Sequence, residues 1–177
     1  FPGCAFGLLA DGKVVFQGAR GTFTYEDDSL AVVPETLFDL ASVTKVVSTT
    51  AIAMLLCQRG QLDLDRGLGE LLPEFTAGRA AGDPARRVTI RHLLAHNSGL
   101  PGYVEFFRTI ADPDELLQAC LHLPIEAEPG TRAEYSAPGF ILLGKSLETI
   151  LGESLATWVN REIFQPLGMT STFFSPC

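Results

Sequence analysis

Two short apolar-rich runs open the chain, Ala5 to Ala10 and Lys13 to Gln17, with Asp11-Gly12 between them. That dipeptide suits the positive φ values of a two-residue turn, so the pattern predicts a β-hairpin. A further strand is expected near Gly21 to Tyr25, followed by a loop rich in Gly, Asp and Thr that reaches Thr36. Beyond it the pattern becomes helical. Ser42 to Arg59 is apolar nearly all round and Gly60 is placed to end it, which predicts a helix buried on most sides and central to the fold. Gln61 to Phe75, with leucines at 62, 64, 68, 71 and 72, predicts a turn and a short helix stopped at Pro73, then a Gly/Ala/Arg-rich surface loop to Arg87.

Thr89 is a predicted N-cap for a helix over Ile90 to His96, ended by Asn97-Ser98-Gly99-Leu100-Pro101. Asp112-Pro113 starts another, running to about Leu121. Pro138 at a first helical position opens Gly139 to Leu151, closed by Gly152. Ser154 caps Leu155 to Phe164, closed by Pro166-Leu167-Gly168. A hairpin followed by a helical lobe is an α+β arrangement, with helices packed against an antiparallel sheet of which only the first strands are present here. A lone hairpin is marginal in water, so something outside these residues is expected to pair with it.

Composition narrows the class. At 177 residues, 46% apolar and 19% charged, the chain is expected to fold compactly and to bury a substantial core. Its net charge of −8 disfavours the phosphate binding on which nucleic-acid proteins rely. Cys4, Cys57, Cys120 and Cys177 are scattered without a C-x-x-C pair, and Cys57 sits in an apolar run as a buried thiol would. The longest membrane candidate, Val46 to Cys57, is short and carries Ser48, Thr49 and Thr50, so no membrane span is expected. The chain starts at Phe1 without a leader pattern, so any targeting segment is expected to have been removed or never present. A soluble chain is expected, cytoplasmic or exported.

Candidate chemistry centres on Ser42-Val43-Thr44-Lys45. Residues three apart share a helical face, so the hydroxyl and the amine can meet. A Ser hydroxyl is a poor nucleophile unless a base takes its proton, and burial is expected to prepare Lys45 for that task by disfavouring its ammonium form. The helix N-terminus adds partial positive charge and free N–H groups beside Ser42, favouring negative charge on an attacked oxygen.

Further segments extend the pattern in order along the chain. They are Thr36-Leu37-Phe38-Asp39-Leu40-Ala41-Ser42-Val43-Thr44-Lys45, Gly60-Gln61-Leu62-Asp63-Leu64-Asp65, His92 to Pro101, Pro129-Gly130-Thr131, Tyr135-Ser136-Ala137-Pro138-Gly139-Phe140 and Pro166-Leu167-Gly168-Met169. Together they resemble the serine β-lactamase, penicillin-binding protein and related esterase superfamily, over nearly the whole chain. The resemblance implies that Tyr135 faces Ser42 and Lys45, shares a proton with Lys45 and passes it to the leaving group. It also implies one catalytic domain divided into first strands (1–36), nucleophile helix (37–60), helical lobe (61–135) and return helices (136–177).

Two departures from the family pattern matter. The second motif of lactamases usually ends in Asn where this chain has Ala137, which leans the expectation towards ester hydrolysis. The family's third motif, on a sheet strand beside the nucleophile, is not found in this sequence, so other residues, in this protein or another chain, are expected to complete the cleft.

His92 and His96 lie four apart and could point at one metal, but no third ligand is spaced to join them, and no metal or cofactor is expected. No P-loop, G-x-G-x-x-G or G-x-S-x-G pattern occurs. Tyr103, with Phe106-Phe107, could line an apolar acyl pocket as a substrate-binding residue, core packing being expected for at least two of the three. The expected activity is acyl transfer from a small ester or amide to Ser42. A lactamase or DD-peptidase-like activity is the first alternative, and a non-catalytic binding module of the same fold the second.

Overall fold

The computed structural model describes residues 1–174. The chain falls into two compact units, Phe1–Leu40 and Ala41–Cys177. In the first, β1 (Gly3–Ala10) pairs antiparallel with β2 (Lys13–Gly21) through a turn in which Asp11 and Gly12 both have positive φ, 50° and 72°. The hairpin therefore forms where the Asp-Gly dipeptide predicts it. A register shift between Leu8 and Leu9 sets Leu8 opposite Phe16 and Leu9 opposite Val14, leaving Val15 as the extra residue of a bulge. Leu8, Leu9, Val14, Val15 and Phe16 are all exposed.

The strand expected at Gly21 to Tyr25 does not form. Gly21 ends β2, and the next residues make only one isolated bridge, Thr22 to Ala31. The cause is local competition: Thr22 Oγ1 donates to Thr24 O at 2.7 Å and Thr24 N donates to Ser29 Oγ at 2.8 Å, so hydroxyls occupy groups that a ladder would use.

The second unit begins with a continuous helical run made of a 3-10 turn (Ala41–Val43), a π-helical stretch (Lys45–Thr50) and α1 (Ala51–Gln58). Gly60, at φ 69°, lies just beyond its end. Here the sequence expectation needs correction. Ser48, Thr49, Ile52, Ala53 and Leu56 are buried, whereas Val43, Val46 and Met54 are exposed, so among the described residues the run is half-buried and not enclosed. Residues 41–58 also have the length and composition of a membrane span, at 18 residues and a mean hydropathy of 1.3. Ser48, Thr49 and Thr50 interrupt its apolar residues, and Ile52, Ala53 and Leu56 join the hydrophobic core.

The remaining elements are α2 (Leu68–Leu71), α3 (Ile90–Leu94), α4 (Pro113–Leu121), α5 (Ala137–Leu151) and α6 (Leu155–Val159), the last continuing as a π-helical turn to Phe164. Their caps match the residues named from sequence. Thr89 accepts from His92 N, Asp112 from Asp114 N and Glu115 N, and Ser154 from Thr157 N. Gly152 closes α5 at φ 70°. α5 starts two residues before the predicted Gly139, because Ser136 is its N-cap and Pro138 already lies in its first turn.

α5 is the central helix of this unit. It buries Phe140, Leu142, Leu143 and Leu147, which cluster with Ile52 and Leu56 of α1, Ile90 and Leu93 of α3, Cys120 and Leu121 of α4, and Trp158 and Val159 of α6. Burial of these side chains contributes roughly 1.5–3 kcal/mol each before conformational entropy is counted.

Candidate active site

Ser42 sits on the 3-10 turn that opens the helical run, directly after Ala41, whose φ is 44°. A left-handed conformation at a residue with a Cβ is unfavourable by about 1–2 kcal/mol, and such outliers gather where a side chain must be aimed. Three residues on, Lys45 starts the π-helical stretch, and its Nζ donates to Ser42 Oγ at 3.3 Å. The i, i+3 spacing read from sequence thus brings the two groups together. The contact is long for a hydrogen bond, and with an ammonium it runs from Lys45 to Ser42. Deprotonation of the hydroxyl requires the reverse, a neutral amine accepting from Ser42.

Tyr135 completes the group. Hydrogen bonding to Lys45, and then to Ser42, holds its phenol below the ordinary value, helped by the positive charge of Lys45 and opposed by burial. Lys45 Nζ lies 5.2 Å from the centre of the Tyr135 ring and 5.9 Å from that of Phe140, so two aromatic faces flank the amine. Lys45 itself is half-buried, and Ser42 and Tyr135 are exposed. The full enclosure expected for Lys45 is absent among the described residues, because the helical run carrying it has neighbours on one side only.

What holds Tyr135 is a pairing between two loops that are far apart in sequence. Gly130 N donates to Asn97 O at 2.8 Å, Glu126 N to Gly99 O at 2.8 Å, and Ala137 N to Gly102 O at 3.0 Å. Ser136 Oγ donates to Pro101 O at 2.7 Å while accepting from Gly139 N at 3.0 Å, so one hydroxyl both caps α5 and ties it to the opposite loop. Gly102 is required by closeness: a Cβ there would come within 2.9 Å of Tyr135 O.

His96 lies at the centre of this pairing and was not singled out as functional from sequence. Its φ is 53°, its carbonyl accepts from Glu134 N at 2.7 Å, and its Nδ1 accepts from Ser136 N at 3.0 Å. Its ring lies 4.5 Å from the Tyr135 ring and 4.7 Å from Phe140. Burial first, and then the charge of Lys45, hold its imidazole below the ordinary histidine value, so the neutral form is favoured. The pairing with His92 considered from sequence is not what the histidines make. His92 Nδ1 instead meets Thr89 at the start of α3, accepting from its backbone N–H at 3.1 Å. The signal for His96 was its place as the last residue before an Asn-Ser-Gly turn, where a histidine can take positive φ.

Tyr103 is 70% exposed and tilts against Phe107, with ring centres 6.5 Å apart. The expectation that two of Tyr103, Phe106 and Phe107 pack in the core is corrected: Phe106 packs partly against it, while Tyr103 and Phe107 face outward. Phe106 and Phe107 belong to one 3-10 turn, where successive side chains point about 120° apart, so both cannot face the same core.

Comparison with known proteins bears on the family and the fold. The chain is 34% identical to esterase EstB of Burkholderia gladioli, covering 92% of this chain and 44% of the esterase. It is 31% identical to penicillin-binding protein 4 of Amycolatopsis lactamdurans, covering 99% and 45%. The solved structure of a class C β-lactamase from Rhodobacter sphaeroides superposes with a TM-score of 0.73 at 33% identity, covering 94% of this chain and 44% of that one. The chain therefore spans a little under half the length of these relatives. Its helices and small antiparallel sheet have the fold of β-lactamases and penicillin-binding proteins. With the Beta-lactamase family model matching residues 1–177, the chain belongs to the β-lactamase family.

Proposed function

We propose that the protein is a serine hydrolase that works through an acyl-enzyme on Ser42, with small esters as its preferred substrates. The observation that carries this reading is the linked group of Ser42 Oγ, Lys45 Nζ and the Tyr135 phenol. In the proposed cycle Ser42 Oγ attacks the ester carbonyl carbon as its proton passes to a neutral Lys45 or a phenolate Tyr135. The tetrahedral intermediate then expels an alkoxide that takes a proton from Tyr135; water next attacks the acyl-enzyme carbonyl and gives its proton to the same groups, and the second intermediate breaks its bond to Ser42 Oγ, which takes that proton as the acid leaves. Depression of the Tyr135 phenol supports its part, since a phenol eased towards phenolate exchanges a proton with an amine at low cost. Tyr103, exposed beside Gly102, is proposed to contact the acyl group.

Ester preference rests on Ala137. It occupies the first turn of α5, two residues beyond Tyr135, and its methyl group can neither hydrogen-bond Lys45 nor recognise a substrate amide. The second reading, turnover of a β-lactam or a D-amino-acid amide, is favoured by the relatives named as a penicillin-binding protein and a class C β-lactamase. We further propose that the exposed apolar residues of the hairpin are covered by the rest of the fold, supplied by residues or a chain beyond these.

The test is labelling and turnover in the intact protein. A fluorophosphonate probe is expected to modify Ser42 and to leave Ser42→Ala unmodified, and p-nitrophenyl butyrate is expected to be hydrolysed faster than nitrocefin. Absence of labelling at Ser42 points to a non-catalytic binding module, and faster nitrocefin cleavage reverses the substrate preference.

A further inference from the structure

We propose that His96 is the positioning residue for Tyr135, and that it acts only as the neutral imidazole with its proton on Nε2, so that protonation of His96 releases Tyr135 from Ser42 and Lys45. The inference rests on the catalytic reading of Ser42, Lys45 and Tyr135. It starts from a geometric fact: a single residue holds the backbone on both sides of Tyr135. The carbonyl of His96 takes the N–H of Glu134 and its Nδ1 takes the N–H of Ser136. The imidazole thus stands where a second backbone carbonyl would stand in a paired strand. Positive φ at His96 lets its carbonyl and side chain face the same segment.

An Nδ1 that accepts from a backbone N–H cannot carry a proton, so the neutral ring has its hydrogen on Nε2. On protonation both ring nitrogens become donors. Ser136 is 1% exposed, so its N–H then faces a second donor with little access to water. At the same time a second positive charge arrives beside Lys45. The titratable and charged groups around His96 are Lys45 from the nucleophile helix, Tyr135 from the facing loop, and His92 one turn earlier, which is engaged with Thr89. Glu134, whose N–H reaches the His96 carbonyl, pairs its carboxylate with Arg132. Phe140 closes the remaining face as an apolar wall.

The test compares His96→Asn with His96→Gly in the intact protein. Both residues tolerate positive φ, but only Asn places an acceptor, Oδ1, where Nδ1 stood. On p-nitrophenyl butyrate at pH 8, kcat of His96→Asn is expected within about tenfold of the parent, while His96→Gly falls by about a hundredfold with KM little changed, as displacement of a reacting group does. In the parent, log kcat is expected to lose about one further unit per pH unit once His96 is protonated, and His96→Asn lacks that additional loss. Equal impairment of the two variants, or an unchanged acid limb in His96→Asn, overturns the proposal.

Nitrogen-15 NMR of the parent gives a reading independent of turnover and of variant folding. His96 is expected to show an unprotonated Nδ1 and a protonated Nε2, and the ring-carbon signal of Tyr135 should shift as His96 titrates. A protonated Nδ1, or a Tyr135 signal indifferent to that titration, overturns the proposal even if esters are hydrolysed. Loss of Ser42 labelling with these NMR signatures intact overturns the hydrolase reading and leaves the placement of Tyr135 by His96 standing.

Discussion

Replacing Ser136 by Ala removes one hydroxyl that serves two elements, and the structure allows its cost to be worked out. The Oγ of Ser136 accepts from Gly139 N at 3.0 Å as the N-cap of α5, and losing such a cap costs about 1 kcal/mol, within a range of roughly 0.5–2. It also donates to Pro101 O at 2.7 Å from a residue that is 1% exposed, and a buried carbonyl deprived of its donor costs about 1–3 kcal/mol. The sum is about 2–4 kcal/mol. For a domain of roughly 150–250 residues that corresponds to a fall in Tm of about 4–16 °C. Urea denaturation of the intact protein followed by circular dichroism gives the free energy, and ester turnover below the transition gives the effect on Tyr135. Ser136→Gly separates the two contributions, because glycine is only a few tenths of a kcal/mol worse than serine as a cap. Its loss should therefore report mainly the Pro101 bond. A Ser136→Ala variant within about 0.5 kcal/mol of the parent would refute the claim that this hydroxyl joins α5 to the opposite loop.

The same reasoning gives three further expectations. Gly99→Ala sets a side chain at φ 80° and aims its Cβ at the backbone carbonyl of Ala127, so it should cost more than about 2 kcal/mol in the same denaturation assay and lower ester turnover. Leu147→Ala, at a fully buried position in the middle of α5, should cost about 2–5 kcal/mol in denaturation while leaving KM unchanged in the folded protein. Burial pushes the Cys120 thiol up to about 11, so Cys120 should resist Ellman's reagent at pH 8 until the protein is unfolded. Because folding favours its protonated form, the stability linked to Cys120 is fully present below the ordinary thiol range and is lost as pH rises from about 9 towards 11. Denaturation midpoints of the parent and Cys120→Ala, compared at pH 8 and pH 10.5, should converge at the higher pH.

Local chemistry was legible in the residues themselves. Asp11-Gly12 specified the hairpin turn because that dipeptide accepts two positive φ values, and Thr89, Asp112 and Ser154 specified helix starts because their side chains reach the free N–H groups of a first turn. The meeting of Ser42 with Lys45 followed from helical spacing alone. Interactions between distant segments left no such mark. Periodicity shows that a face is apolar, not what covers it, so the helical run carrying Ser42 read as central although α5 is the helix that the others surround. His96 had no legible role for the same reason. Its partners lie some 40 residues away, and only the closing of one loop on the other decides that its Nδ1 meets Ser136 and its ring meets Tyr135. Sequence thus determined the turns, the caps and the meeting of Ser42 with Lys45, since these depend on neighbours within one helical turn. Tertiary structure alone decided how Tyr135 is held and which surfaces are buried, since hydrogen bonds and packing across such separations exist only once the chain has folded.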